Sequence, residues 1–171
     1  VAPVAARVVA LSGELDGAVA AAEIGRRLAS FTVIAQRGNG FADRLANAHA
    51  DAADGLPVLQ IGMDTPQITA ELLTGCARQL ADAPAVLGLA PDGGWWALGV
   101  RIPANAEFLR AVPMSTPDTG MLTLKALQRN DIEVRLVEEL TDFDVVDDIA
   151  AVREACQPTS RFARITRAAG L

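Results

Sequence analysis

Tyrosine is absent from this 171-residue chain, lysine occurs once (Lys125), histidine once (His49), and aromatics make up only 4% of it. Each scarcity excludes something. His49 lies in a helical pattern away from every polar cluster, so no Ser-His-Asp or Cys-His arrangement can be built around it. Two cysteines, Cys76 and Cys156, show neither CxxC nor His spacing. They read as core thiols of a reducing compartment rather than as a disulfide or zinc site. No apolar run reaches the roughly 18 residues that span a bilayer, and no signal-peptide pattern is visible. A soluble, cytoplasmic protein is the expectation. Basic residues are few and nearly all arginine, which leaves a net charge of −6 and a pI near 4.7. Such a field repels nucleic acid and anionic membranes.

Half the residues are apolar, so long disordered tails are not expected, and the length suits one domain, residues 1–171. Short apolar runs suited to buried strands are ARVVALS (6–12), FTVIAQ (31–36), PVLQIGM (57–63), AVLGLA (85–90), WWALGV (95–100) and EVRLVEEL (133–140). Helical periodicity fills most gaps between them: 14–29, 40–53, a segment after Thr69, one opened by Thr116-Pro117-Asp118, and Asp144 to Ala155. At Thr69 the signals are specific, with an N-cap hydroxyl, Glu71 in the first turn and an Ile68–Leu73 staple. Strand and helix alternate, and the strands are apolar throughout rather than alternating. That predicts an α/β domain, a three-layer α/β/α sandwich around a mostly parallel, mixed sheet. Ligands bind such sheets at the carboxyl ends of strands.

Four clusters follow strands. Gln36-Arg37-Gly38-Asn39-Gly40, then Phe41 to Leu45 with Arg44, joins glycines to a helix start and suits an anion, with Gln36 able to read a base edge. An ordinary strand-to-helix turn is the alternative. Asp64, in IGMDTPQ, sits where an apolar strand runs out; it suits a divalent cation, or it caps local amides in an Asp-x-Pro turn. Asp92-Gly93-Gly94 before Trp95-Trp96 is a plausible hairpin turn. Adjacent tryptophans face opposite sides of a strand, so one can pack while the other lines a cleft. Asp142-Phe143-Asp144 precedes a helix, where Asp144 is either an N-cap or a second metal carboxylate.

Taken in order, QRGNGFADRLANAHADA, LPVLQIGMDTPQIT, AVLGLAPDGGWWALGV, VPMSTPDTG and LTDFDVVDDIAAV resemble the DUF2064 family, also called the selenodomain-associated transferase 1 group. The resemblance covers Arg7 to about Phe162. It implies a glycosyltransferase-A-like fold, similar to nucleotide-diphospho-sugar transferases and to nucleotidyltransferases acting on molybdopterin and phospholactate. It implies Mg²⁺ or Mn²⁺ held by Asp64 and Asp144, with Asp64 also meeting the nucleotide phosphates. A nucleotide or nucleotide-sugar would lie near Gln36, Arg37, Gly38 and Arg44. A small acceptor would lie near Asp92, Gly93, Gly94 and Trp95. Asp92 joins Asp64 as a catalytic candidate, and Ser115 and Thr116 match a block grouped with the substrate residues. A homodimer is left open.

This sequence departs from the family pattern at Leu89, where proline is usual, and at Val145, where threonine is commoner. The larger departure is at the front, where relatives begin with a strand and a Gly- and Lys/Arg-bearing phosphate loop. VAPVAAR lacks that glycine and lysine and stands too close to Gln36. Val1–Ala5 is therefore expected to end the first helix, with the first strand missing from this chain and an extra N-terminal unit in the native gene product. Glycosyl transfer is the leading expectation, nucleotidyl transfer the alternative. A non-catalytic nucleotide-binding module and a scaffold whose aspartates are all caps come after these.

Overall fold

Most of the apolar runs become strands where turn formers or helix caps interrupt them. In the computed structural model, which describes residues 4–171, the strands are β1 (Val8–Leu11), β2 (Thr32–Ala35), β3 (Val58–Ile61), β4 (Ala85–Leu89), β5 (Trp95–Val100) and β6 (Val134–Leu136). The helices are α1 (Ala21–Leu28), α2 (Phe41–Ala52), α3 (Ala70–Asp82), α4 (Thr119–Gln128), α5 (Ile149–Ala155) and α6 (Arg161–Ala168). A 3₁₀ segment, Pro103–Ala111, follows β5, and a single 3₁₀ turn, Val146–Asp148, precedes α5.

β1 and β2 form a parallel pair, and the other strands form a mixed sheet in the order β3-β5-β4-β6. β5 runs antiparallel to β3 and β4, while β6 is parallel to β4. It follows that β3, β4 and β6 point the same way, so their carboxyl ends share one edge of the sheet. Among the described residues β1 and β3 each pair along one side only. The strands thus form two sheets.

The central strands contribute to two cores, and the register shift between Gly88 and Leu89 puts the adjacent Trp96 and Ala97 in the same one. Leu87, Leu98 and Val100 pack with Leu45 of α2, Leu109 of the 3₁₀ segment and Leu124 and Leu127 of α4. Trp96 and Ala97 pack with Cys76 of α3, and Leu59, Ile68, Leu72 and Leu73 close around them. The cap at α3 is formed as its sequence signals it: Thr69 Oγ1 accepts from Leu72 N at 3.2 Å. A smaller cluster of Val152, Cys156 and Ala163 joins α5 to α6, with Phe143 set edge-on to Phe162. Both cysteines are buried free thiols, and no helix among the described residues is long and apolar enough to cross a membrane.

Three boundaries differ from expectation. The first long helix is confined to Ala21–Leu28. Helix α4 begins at Thr119, so Pro117 lies outside it. The Thr119 hydroxyl binds back to Thr116 N and Pro113 O, and these bonds hold the preceding residues in a turn. Val4 and Ala5 are not helical, and the rest of that proposed helix end lies outside the described residues.

His49 is fully enclosed on α2, and neither ring nitrogen has a hydrogen-bond partner among the described residues. Burial pushes its pKa from the ordinary 6.5 down to about 4, and the Gln60 amide, outside hydrogen-bonding geometry, offsets only part of that. The unfolded chain then takes the proton first as pH falls. This contribution to stability is complete above about pH 6.5 and is lost towards pH 4, roughly 3 kcal/mol in all. Urea midpoints should therefore fall more steeply on acidification for the wild type than for His49→Leu. Equal slopes would remove His49 as the cause.

Candidate functional site

Asp64, Asp92 and the Asp142–Asp144 pair all follow strands whose carboxyl ends share one edge. The β3 ladder runs on past its last residue, since Gly62 N donates to Trp96 O at 2.8 Å, and Asp64 comes two residues later. Beyond β6 the chain stays beside β4, with Val137 N donating to Leu87 O and Leu140 N to Leu89 O. That brings residues 141–144 alongside Asp64. Phe143 N donates to Asp64 O at 3.0 Å, which joins the two loops.

As a result Asp64, Asp142 and Asp144 each offer a carboxylate oxygen, and these oxygens all lie within 4.8 Å of one another. Asp142 joins Asp64 and Asp144 although no role for it follows from the sequence. The available signal was the Asp-Phe-Asp spacing, because residues two apart in extended chain share a side. Burial, and after it the negative charges of Asp92, Asp144 and Asp64, raise the Asp142 pKa above the ordinary carboxylate value. Crowded carboxylates of this kind disfavour ionisation unless a cation joins them.

Capping does not account for the cluster. Among the described residues no hydrogen bond reaches the carboxylates of Asp64 or Asp144. The cap of the following turn is Asp148, whose Oδ2 accepts from Asp144 N at 3.0 Å and Val145 N at 2.9 Å. Asp92 differs: its Oδ1 accepts from Gly94 N at 2.8 Å and so shapes the β4–β5 hairpin turn.

That turn sits directly on the start of α4. Gly93 has φ +94°, and Gly120 N donates to its carbonyl at 2.7 Å. Ser115 beside it is exposed and held at φ +57°, a conformation costly for a residue with a side chain. The Thr116 hydroxyl is engaged with Thr119 Oγ1 at 3.2 Å. Both tryptophans pack: Trp96 is 1% exposed and donates its indole N–H to Glu138 O, while Trp95 is half-buried against the first core.

Arg37 and Asp43 belong to a separate network around α2 and Arg110. Arg37 makes two 2.8 Å bonds to Asp51, whose carboxyl it holds below the ordinary range. The Arg37 carbonyl accepts from Asn47, which in turn accepts from Arg110. Arg110 also pairs with Asp43 and Glu107. Gly38, at φ +132°, lies against the first turn of α2, where a Cβ would come 2.6 Å from that of Asp43. Gln36 is half-buried, and the Arg44 side chain has no ion pair among the described residues. Among the described residues no hydrogen bond or ion pair joins this network to the three carboxylates. A groove of about 240 Å³ between the 3₁₀ segment and α4, lined by Phe108, Val112, Leu122 and Arg129, contains none of the candidate residues.

The strand order and the carboxylates that follow β3, β4 and β6 define an α/β domain with an acidic cluster at the carboxyl edge of its mixed sheet. The crystal structure of a protein from Desulfovibrio desulfuricans G20, provisionally named a nucleotide-diphospho-sugar transferase, superposes with a TM-score of 0.75. It is 22% identical and the match covers 94% of this chain and 73% of that one, a likeness that establishes the fold. Residues 1–116 match DUF2064, described as an uncharacterized protein conserved in bacteria, and the chain belongs to that family. Asp142 and Asp144 lie beyond the matched residues. No curated protein matches the sequence.

Proposed function

We propose that the protein is a divalent-metal-dependent transferase that moves a glycosyl group from a nucleotide-sugar to a small acceptor. The observation that carries this reading is the convergence of three carboxylates, two of them free of any capping duty, at the carboxyl edge of β3, β4 and β6. An all-carboxylate donor set suits Mg²⁺ or Mn²⁺, hard cations that take oxygen ligands. Asp64 and Asp144 would hold the metal with Asp142 beside them. Bound there, the metal would neutralise charge developing on a diphosphate leaving group. Gln36, Gly38 and Arg44 would line the nucleotide. Asp92, Gly93, Gly94, Trp95, Ser115 and Thr116 would line the acceptor, with Asp92 orienting its attacking hydroxyl. Nucleotidyl transfer would use the same carboxylates, and the donor that binds separates the two.

A non-catalytic nucleotide-binding module is the second reading. The engagement of Arg37 with Asp51 favours it, because that arginine is then not free for phosphate. A thermal-shift screen of UTP, GTP, CTP, ATP, UDP-glucose and GDP-mannose, each with Mn²⁺ and with EDTA, tests both. One base family should stabilise the protein by about 5–10 °C at saturating ligand, and only with Mn²⁺. Stabilisation without product from any donor supports the binding module. No shift with any of them sinks the transferase reading.

A further inference from the structure

We propose that Gln67 is the positioning residue of the carboxylate cluster, holding the Asp142–Asp144 loop in register with Asp64. The inference rests on the metal-site reading above and assigns a role to a side chain outside the cluster itself. Gln67 lies three residues beyond Asp64 and is 8% exposed. Its Nε2 donates to the carbonyl of Thr141, 74 residues on and adjacent to Asp142. Phe143 N donates to Asp64 O on the other side of Asp142. Asp142 is therefore bracketed by two bonds that cross between the loops. One is made by backbone alone, and the other depends on the identity of a single side chain.

The rest of this side chain's surroundings do not suit a residue kept only for stability. Among the described residues Gln67 Oε1 is buried without a hydrogen-bond partner, and so is the hydroxyl of Thr65, 4% exposed on the same loop. A buried amide satisfied at one end only is a cost to folding. An apolar residue of similar shape would remove that cost while surrendering the hold on Thr141. Outer partners that orient ligands commonly change metal affinity by about 10–100-fold when they are removed.

The test is Mn²⁺ titration of the full chain, followed by the electron paramagnetic resonance signal of free Mn²⁺, for wild type, Gln67→Met and Thr123→Val. Thr123 is buried in α4, and its hydroxyl binds only the Thr119 carbonyl, so its variant controls for lost stability. Gln67→Met should weaken Mn²⁺ binding about tenfold or more at a temperature where it is fully folded, and Thr123→Val should leave it unchanged. Gln67→Met binding Mn²⁺ within twofold of wild type overturns the positioning role. A wild type that binds no Mn²⁺ overturns the metal reading itself, and the role with it. Should Gln67→Met not fold, the wild type still answers. Saturation with Mg²⁺ should then slow hydrogen exchange of the Gln67 side-chain amide about tenfold, and unchanged exchange overturns the role.

Discussion

Asp64→Asn should abolish Mn²⁺-dependent nucleotide stabilisation and lower turnover at least a hundredfold, while leaving the metal-free melting temperature unchanged or slightly raised. The change keeps the shape of the side chain and the carbonyl that accepts from Phe143 N, so the joint between the loops survives. What disappears is one negative charge from a set whose oxygens lie within 4.8 Å of each other. In metal-free buffer that charge only repels Asp142 and Asp144, and its loss relieves the folded state. In Mn²⁺ buffer the same charge would, on the proposed function, be a ligand. A turn-capping role makes the opposite forecast: Mn²⁺ binding intact and about 1 kcal/mol of stability lost, near 2–4 °C in melting temperature. Calorimetry with and without Mn²⁺ separates the two in one pair of scans.

The parts of this molecule legible in its sequence are those decided by neighbours along the chain. The Thr69 cap, the apolar residues either side of it and the Asp92-Gly93-Gly94 hairpin all follow from local chemistry, and all are formed. The carboxyl-edge positions of Asp64, Asp92 and Asp144 were readable for a related reason, since strand-end placement needs only the strands. Contacts between distant segments were not readable. Asp142 joins the cluster because residues 137–140 follow β4 beyond the end of β6. Gln67 reaches Thr141 across the same gap. Arg37, a candidate for phosphate on its position after β2, is held by Asp51 from the far end of α2. The division of the strands into two sheets likewise depends on pairings that no local pattern encodes. The tryptophan pair shows both kinds. They face different cores, as adjacent strand residues should, while the register shift between Gly88 and Leu89 that accompanies them has no signal in the sequence, and Trp96 is enclosed where Trp95 stays half-buried.

Gly93→Ala should be the most damaging single methyl group in the chain, and it tests whether the hairpin turn and α4 act as one piece. At φ +94° a Cβ would lie 1.8 Å from the carbonyl oxygen of Pro117 and 2.3 Å from its carbonyl carbon. Both are backbone atoms, so no side chain can swing away. Retreat of α4 is opposed by the bond from Gly120 N to Gly93 O, and a Cβ on Gly120 would itself lie 2.4 Å from Gly94 O. Strain from the positive φ adds to the clash, for a cost of about 3 kcal/mol or more. The melting temperature should then drop by roughly 6–12 °C. Gly94→Ala supplies the control: its nearest neighbour would be Asp92 Oδ1 at 3.1 Å, the movable end of a side chain, and its φ is not positive. That variant should lose about 1 kcal/mol or less. Displacing the turn also moves Asp92 away from Asp142 and disturbs Ser115 and Thr116 on the far side of Pro117. Acceptor affinity in Gly93→Ala should accordingly weaken more than Mn²⁺ affinity, which depends on loops the turn does not hold. A Gly93→Ala protein melting within about 1 °C of wild type would mean that the turn and α4 give way independently. The proposed acceptor side would then lack a rigid wall.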